Sequence, residues 1–519
     1  MYLTQSIKTN AQTNRHGIAT ICGERRQSWG SFAERVARLA GALRDLGVGA
    51  GDRVAILALN CDRYLEYYYA CFWGGSVVVP MNLRWSAAEN AYSLNDSGAQ
   101  TIFIDDAFQP VMASILEQAK GVVNLIYMGD GETPEGWLNY EELIAMSAPA
   151  EDAGLGGEDL AGIFYTGGTT GYPKGVMLPH RGLWSSSVGV AYGFKFDSAT
   201  KYLHAAPMFH LADGASSMGA VIAGGSHFFI PAFDAAKTIA AIDAHGVTDT
   251  LLVPTMVKMI LDSPALEDSG LASLRQIFYG GSPMPEGVIR ECLERLPHIG
   301  FTQAYGQTEL SPLCTLNPPE YHTFDGPKAG KLRSVGRAAL CNEIKIVDGD
   351  GNEVARGEVG EIVAKGANTM LGYWNLPEQT AAALKDGWVH TGDGAYMDED
   401  GFIFIADRLK DMIISGGENI FSAEVESAIS RHPGVSEVAV IGIPSDAWGE
   451  SVHAIVIRRD GEDVSEDSII DHTRALIAHY KCPRSVEFRS DPMPLSGAGK
   501  VLKRDLRAPF WQGRERQVN

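Results

Sequence analysis

Amphipathic helices alternate with short, wholly apolar strands along the N-terminal part of the chain, and this rhythm limits the folds open to it. Residues 28–48 place Phe32, Val36, Leu39 and Leu43 at three-to-four spacing, which predicts an amphipathic helix closed by Gly47. Residues 52–59 read as a buried strand, followed by a helix over 64–73, a strand over 76–80, a helix over 87–97 and a strand over 101–105. Strands this uniformly apolar have no face for water, so helices must cover both sides of a largely parallel sheet. From Ile344 the pattern changes to short strands punctuated by Asp-Gly pairs, with DEDGFIFI as a hairpin turn entering a strand, predicting a β-rich subdomain over about 335–405. Beyond Arg408 a further unit starts. Ser422 is its predicted helix N-cap, Glu424 and Glu426 occupy the first turn, Val425, Ala428 and Ile429 share one face, and His432-Pro433-Gly434 ends the helix. The expected fold class is α/β: a large N-terminal domain over 1–409, built of α/β subdomains plus the β-rich subdomain, and a small C-terminal α+β domain over 410–519.

A chain of 519 residues is too long for one core, and its 45% hydrophobic content supplies the material for several. A formal charge of -21 without a basic stripe argues against a nucleic-acid partner, because a phosphate polymer would be repelled. Small anions are still compatible, since a few cations and backbone amides bind them locally. The seven cysteines are scattered with no CxxC pair, which fits a reducing cytoplasm and offers neither a disulfide framework nor a zinc site. The opening MYLTQSIKTNAQTNRHG lacks the apolar core of a secretory signal, and no run of about 18 apolar residues predicts an integral membrane segment. The stretch 214–233 comes closest, but Gly224, Gly225, His227 and Pro231 break it into a buried helix running into a strand. A homodimer is the base-rate expectation for a soluble enzyme, and no segment marks an interface.

The segment 163–178, IFYTGGTTGYPKGVML, carries the most chemistry. An apolar stretch enters a loop with four glycines, three threonines and one lysine, then becomes apolar again. Glycines let backbone N–H groups turn toward phosphate oxygens, threonine hydroxyls add donors and Lys174 adds a mobile cation. A Walker A loop is excluded, because Lys174 stands between Pro173 and Gly175 with no Ser or Thr after it. In AYGQTE (304–309), Tyr305 offers a ring beside a nucleobase, Thr308 a hydroxyl for a phosphate and Glu309 a carboxylate for Mg²⁺. Asp393, after Thr391-Gly392, can accept from both hydroxyls of a ribose. In DRLKDMIISGGENI (407–420) the guanidinium of Arg408 suits phosphate and ribose oxygens. Near the C-terminus PLSGAGKVLKRDL presents Lys500 on a Gly/Ser loop before a helix.

These motifs, in this order, resemble the adenylate-forming superfamily of acyl- and aryl-CoA synthetases, luciferases and peptide-synthetase adenylation domains, and the resemblance spans essentially the whole chain. It implies ATP, Mg²⁺ and coenzyme A as small-molecule partners. The implied nucleotide site is Thr166, Gly167, Gly168, Thr169, Thr170, Gly171, Lys174, Gly281, Ala304, Tyr305, Gly306, Thr308, Asp393, Arg408 and Lys500, with Glu309 holding the metal. Lys174, His210, Thr308, Glu309 and Lys500 are the implied catalytic set, Lys500 being the adenylation lysine. Lys410 falls at the family's hinge, where many members carry Asp, and Gly416 and Gly417 match the loop beside the pantetheine tunnel. The implied reaction makes an acyl-adenylate, then swings the small domain so that the CoA thiol attacks it.

PMFHLADG (207–214) resembles the segment opening the acyl pocket, with His210 where peptide-synthetase domains carry an Asp for an amino group, so amino acids are disfavoured. With Gly280, Gly281 and Gly306 it forms the expected acyl pocket. Asp213 reads as a helix-start carboxylate. The expected walls are apolar or small, which predicts a hydrophobic monocarboxylate, with a medium- or long-chain fatty acid favoured and an arylalkanoic or arylpropenoic acid as the alternative. Further alternatives are an adenylating enzyme with another acceptor and a non-catalytic nucleotide-binding relative.

Overall fold

Two large sheets stand side by side in the structure, a computed structural model that describes residues 2–167, 173–282, 284–408, 411–416, 418–495 and 501–512, with Arg408 and Asn419 described by backbone alone. Eight strands form the first sheet, in the order Gly372–Tyr373, Lys174–Pro179, Leu160–Thr166, Val77–Pro80, Arg53–Leu57, Thr101–Ile104, Asn124–Tyr127 and Leu138–Asn139. Nine form the second: Arg337–Ala338, Leu313–Asn317, Gly300–Gly306, Gln276–Gly280, Asp249–Leu252, Lys201–His204, Ser226–Phe229, Ile18–Cys22 and Arg25–Ser28. The central pairings of both are parallel; the nine-stranded sheet is antiparallel at both edges, and the eight-stranded sheet only at the Gly372–Tyr373 edge.

The alternation that was legible in the sequence appears almost residue for residue. The first amphipathic helix is Trp29–Asp45, capped by Ser28 Oγ, which accepts from Ser31 N at 3.2 Å, and Phe32, Val36, Leu39 and Leu43 are all buried. Helix Asp62–Gly74 carries Tyr64, Tyr67, Tyr68, Tyr69 and Phe72, all fully buried, and packs against strands of both sheets. A helix buried on every side belongs between two layers, and this one joins the sheets, its buried Asp62, Arg63 and Glu66 being matched by ion pairs to Arg25, Glu141 and Arg35. The stretch 214–233 resolves into helix Leu211–Ala223 and strand Ser226–Phe229. Among the described residues no helix is long and apolar enough to cross a membrane.

A third sheet of five strands, Asn342–Val347, Gly360–Gly366, Leu384–Lys385, Trp388–Met397 and Ile403–Arg408, forms the β-rich part. A fourth, also of five, begins at Ile413–Ser415 and is covered by helices Ser422–Ile429 and Glu466–Arg474. Here one expectation is corrected. Ser422 is the first helical residue and its own side chain makes no cap. Its hydroxyl instead donates to Asp407 Oδ2, which also accepts from Ala423 N at 3.3 Å, so a carboxylate fifteen residues upstream caps the helix.

Candidate active site between the two sheets

The glycine- and threonine-rich segment joins two antiparallel strands, with Thr166 opposite Lys174. Gly168, Thr169, Thr170 and Gly171 lie outside the described residues, as do Lys410, Gly417 and Lys500 and the side chain of Arg408. Lys174 holds its ammonium 5.1 Å from the centre of the Tyr373 ring. Tyr373 pairs with Val176 across the edge of the eight-stranded sheet and donates its hydroxyl to Glu309 Oε1 at 2.7 Å. Glu309 follows strand Gly300–Gly306 of the other sheet, on a single 3₁₀ turn over Thr308–Leu310, and its carbonyl accepts from Met370 N at 2.9 Å. One hydroxyl thus ties the two sheets together at the lysine and the carboxylate. Burial and the charge of Glu309 hold the Tyr373 hydroxyl pKa well above its usual value, so it stays a donor.

A second cluster centres on Asp393. Thr391-Gly392-Asp393 lies inside strand Trp388–Met397, where Gly392 adopts φ +69° and donates its N–H to Glu361 Oε1 at 2.9 Å. That positive φ turns the strand so that Asp393 accepts from the Tyr305 hydroxyl at 2.6 Å, while its backbone pairs with Arg408. Burial and neighbouring Asp393 raise the Tyr305 hydroxyl pKa, keeping it protonated as the donor. Removing that donor with Tyr305→Phe is expected to raise the KM for ATP about tenfold or more, the cost of one hydrogen bond to a charged group, and to leave the KM for the acid within twofold. Equal changes in both constants would detach Tyr305 from the nucleotide.

Three of the expected site glycines have backbone reasons for being glycine. A Cβ on Gly280 would stand 2.2 Å from Ala304 O, one on Gly306 would stand 1.8 Å from Pro312 O, and Gly281 holds φ +78°. His210 is half-buried at the start of helix Leu211–Ala223, its ring 4.3 Å from that of Phe209. Asp213 does sit in that helix's first turn, but fully buried, accepting from Tyr202 Oη at 2.8 Å and contacting His204 Nδ1 at 2.7 Å.

On the small-domain side, Gly416 holds φ +63° and donates its N–H to Trp448 O at 2.8 Å. A Cβ there would meet the Trp448 ring at 2.8 Å. The indole is 46% exposed, and the Arg484 guanidinium lies 4.4 Å from its centre. Trp448, Arg484 and Tyr373 were not singled out from sequence. An exposed Trp in a turn was the available signal for the first, and the other two are defined only by partners far away in the chain.

Among the described residues no three His, Cys, Asp or Glu side chains gather as a metal cage. A lone buried carboxylate such as Glu309 fits Mg²⁺ that arrives on a triphosphate, since that ion is commonly held by one or two carboxylates plus phosphates and water.

A two-sheet α/β body with Lys174, Tyr373 and Glu309 meeting at its seam, followed in the chain by a small α+β unit, has the form of a nucleotide-using enzyme. The chain belongs to the AMP-binding enzyme family: residues 7–374 match that family's model and residues 424–500 match the model of its C-terminal domain. It is similar to a feruloyl-CoA synthase from an Amycolatopsis species, at 38% identity over 96% of this chain and 97% of the relative. It is also similar to the fatty acid–[acyl-carrier-protein] ligase ScoC of Streptomyces coeruleorubidus, at 33% identity over 100% of this chain and 98% of the relative. Among solved structures, ATP-bound MatB from Rhodopseudomonas palustris superposes with a TM-score of 0.88 at 31% identity, covering 98% of this chain and 99% of that one. The protein is accordingly an AMP-forming acid–thiol ligase of a family whose CoA ligases use ATP and CoA.

Proposed function

We propose that the enzyme activates a compact aromatic monocarboxylic acid, of the arylpropenoic kind, and transfers it to coenzyme A. The acid's carboxylate attacks the α-phosphorus of ATP, pyrophosphate departs, and the CoA thiol then attacks the acyl carbonyl and expels AMP. In this reading Lys174 and Thr166 face the phosphates, Thr308 and Lys500 the α-phosphate, and Asp393 the ribose. Glu309 would hold Mg²⁺, which supplies charge neutralisation for the triphosphate. Residues 1–409 and 410–519 serve as the two domains, with Lys410 as hinge and Gly416, Gly417, Trp448 and Arg484 facing CoA. An exposed indole suits its adenine and a guanidinium its phosphates.

The observation that carries the aromatic reading, in place of the fatty acid favoured from sequence, is a plug beneath Gly280. Strand alternation puts Phe278 on the same sheet face as Gly280. Phe278 stacks on Phe194 with centroids 3.6 Å apart, and Phe196 meets it edge-on at 5.5 Å. Leu251 and Thr302 flank Phe278 on the neighbouring strands, both buried. A flat ring can end against this stack, whereas a long alkyl chain following the sheet would have to displace it. The similarity to a feruloyl-CoA synthase supports the same choice, and that to ScoC favours a fatty acid and a carrier-protein acceptor.

AMP release with ATP, Mg²⁺ and CoA across aromatic, medium-chain and long-chain acids, each repeated without CoA, tests the whole reading. CoA-dependent turnover fastest with arylpropenoic acids is the expected result. Preference for long-chain acids would overturn the substrate class, and turnover indifferent to CoA would overturn the acceptor. Phe278→Ala is expected to shift kcat/KM toward longer acids by about tenfold per added segment that the opened space accepts. An unchanged ranking would mean that the plug does not bound the pocket.

A further inference from the structure

The segment carrying His210 leaves strand Lys201–His204 as irregular backbone over 205–210, a stretch whose polar groups need partners if it is to hold one shape. Its partners come from the other sheet. Asn60, only 3% exposed, lies just past strand Arg53–Leu57. Its Nδ2 donates to Ala206 O at 2.9 Å and to His204 O at 3.2 Å, and its Oδ1 accepts from Met208 N at 2.8 Å. The Asn60 main-chain N–H reaches Pro231 O at 3.1 Å, beyond the exit of the neighbouring strand Ser226–Phe229. Tyr68, on the helix between the sheets, donates its hydroxyl to Met208 O at 2.8 Å. Asn60 itself is fixed to its own sheet next door, where Leu59 N donates to Asp105 Oδ2 at 2.7 Å.

The far side of His210 is held independently. Asp213, one turn into the following helix, engages Tyr202 and His204 on the strand that precedes the segment, and His204 Nε2 contacts His227 Nδ1 at 3.0 Å on the adjacent strand. Burial and His204 push the His227 pKa well down, so this row ends in a neutral ring. His210 therefore stands between two buried anchors, one from each direction.

We infer that Asn60, together with Asp213, is a positioning residue for acid binding: it staples the carboxyl end of one sheet to the segment of the other that presents His210 to the substrate. The inference rests on the reading of His210 as an acyl-pocket residue. Removing this buried side chain strands Ala206 O and Met208 N and leaves His204 O with only the 3.4 Å bond from Ile230 N, and the segment must then shift to find new partners.

The test is the split between substrates. Asn60→Ala is expected to raise the KM for the preferred acid about tenfold while the KM for ATP stays within twofold, since the nucleotide clusters make no contact with Asn60. Tyr68→Phe, which removes one hydroxyl and keeps the packing, is expected to act in the same direction by about threefold and decides the matter if Asn60→Ala does not fold. In a His210→Ala background Asn60→Ala should add less than about twofold to the acid KM, as coupled residues do. The inference is overturned if the acid KM is unmoved in Asn60→Ala or, failing its folding, in Tyr68→Phe, if the ATP KM rises as far, or if His210→Ala itself raises the acid KM and the two changes are additive. Should His210→Ala alone leave the acid KM unchanged while Asn60→Ala raises it, the His210 reading falls and the staple stands, acting through residues 204–208.

Discussion

Replacing Lys500 with alanine is expected to slow acyl-AMP formation by about 100- to 1,000-fold while leaving thioester formation from supplied acyl-AMP within about twofold of the unaltered enzyme. Attack by a carboxylate on the α-phosphorus brings two anionic groups together, and charge builds on the non-bridging oxygens as pyrophosphate leaves. A cation aimed there is worth most in that transition state, when the site is closed to water. Attack of a thiol on an acyl carbonyl expels AMP from a neutral centre and does not need that cation. Pyrophosphate release for the first half and CoA-dependent consumption of acyl-AMP for the second, measured separately, check the assignment. Equal loss in both would mean that Lys500 supports the fold of the small domain rather than adenylation.

How far the sequence could be read follows from how local each feature is. Helix Ala87–Ser97 falls on its predicted bounds, because its cap is built in place: Ser86 and Glu89 form a reciprocal capping box and Gly98 closes the helix at φ +68°. Ser422 looked like the same kind of cap, yet its helix is capped by Asp407, and nothing near Ser422 announces a carboxylate from another sheet. Thr391-Gly392-Asp393 has the composition of a turn but sits inside a ten-residue strand, held there by pairing on both sides. Order and spacing of motifs were enough to single out Lys174, Tyr305, Glu309 and Asp393. Their connections were not legible. The Tyr305–Asp393 bond spans 88 residues and the Tyr373–Glu309 bond 64, and only the tertiary fold pairs them. Asn60 was passed over for the same reason, since a lone Asn after a strand ordinarily marks a turn, and its partners lie 144 to 148 residues on.

Gly306→Ala tests whether the seam between the sheets is as tightly specified as its geometry implies, and it is expected to destabilise the protein by about 3 kcal/mol or more and to cut activity with it. The Cβ would stand 1.8 Å from Pro312 O, just before the paired strand, and 2.9 Å from Cys314 N within it, both main-chain atoms, so no flexible side chain can move aside. Relief requires strand Gly300–Gly306 to part from strand Leu313–Asn317 at the point where their register already shifts, between Tyr305 and Gly306. That motion displaces Tyr305 from Asp393 and Glu309 from Tyr373, so KM for ATP should rise in whatever fraction still folds. Gly281→Ala serves as a graded comparison: its φ of +78° is strained for alanine but its nearest neighbour, Val253 Cγ1, is 3.9 Å away, so a loss of about 1 kcal/mol is expected. Gly349→Ala, in an exposed turn with nothing within 4 Å, should be nearly neutral. Urea midpoints for the three variants should fall in that order. A midpoint for Gly306→Ala equal to that of Gly349→Ala would mean that the strands part without cost, and the rigid seam would then cease to explain how Lys174 and Asp393, on two different sheets, and Glu309, on the 3₁₀ turn beside a third, are kept in register.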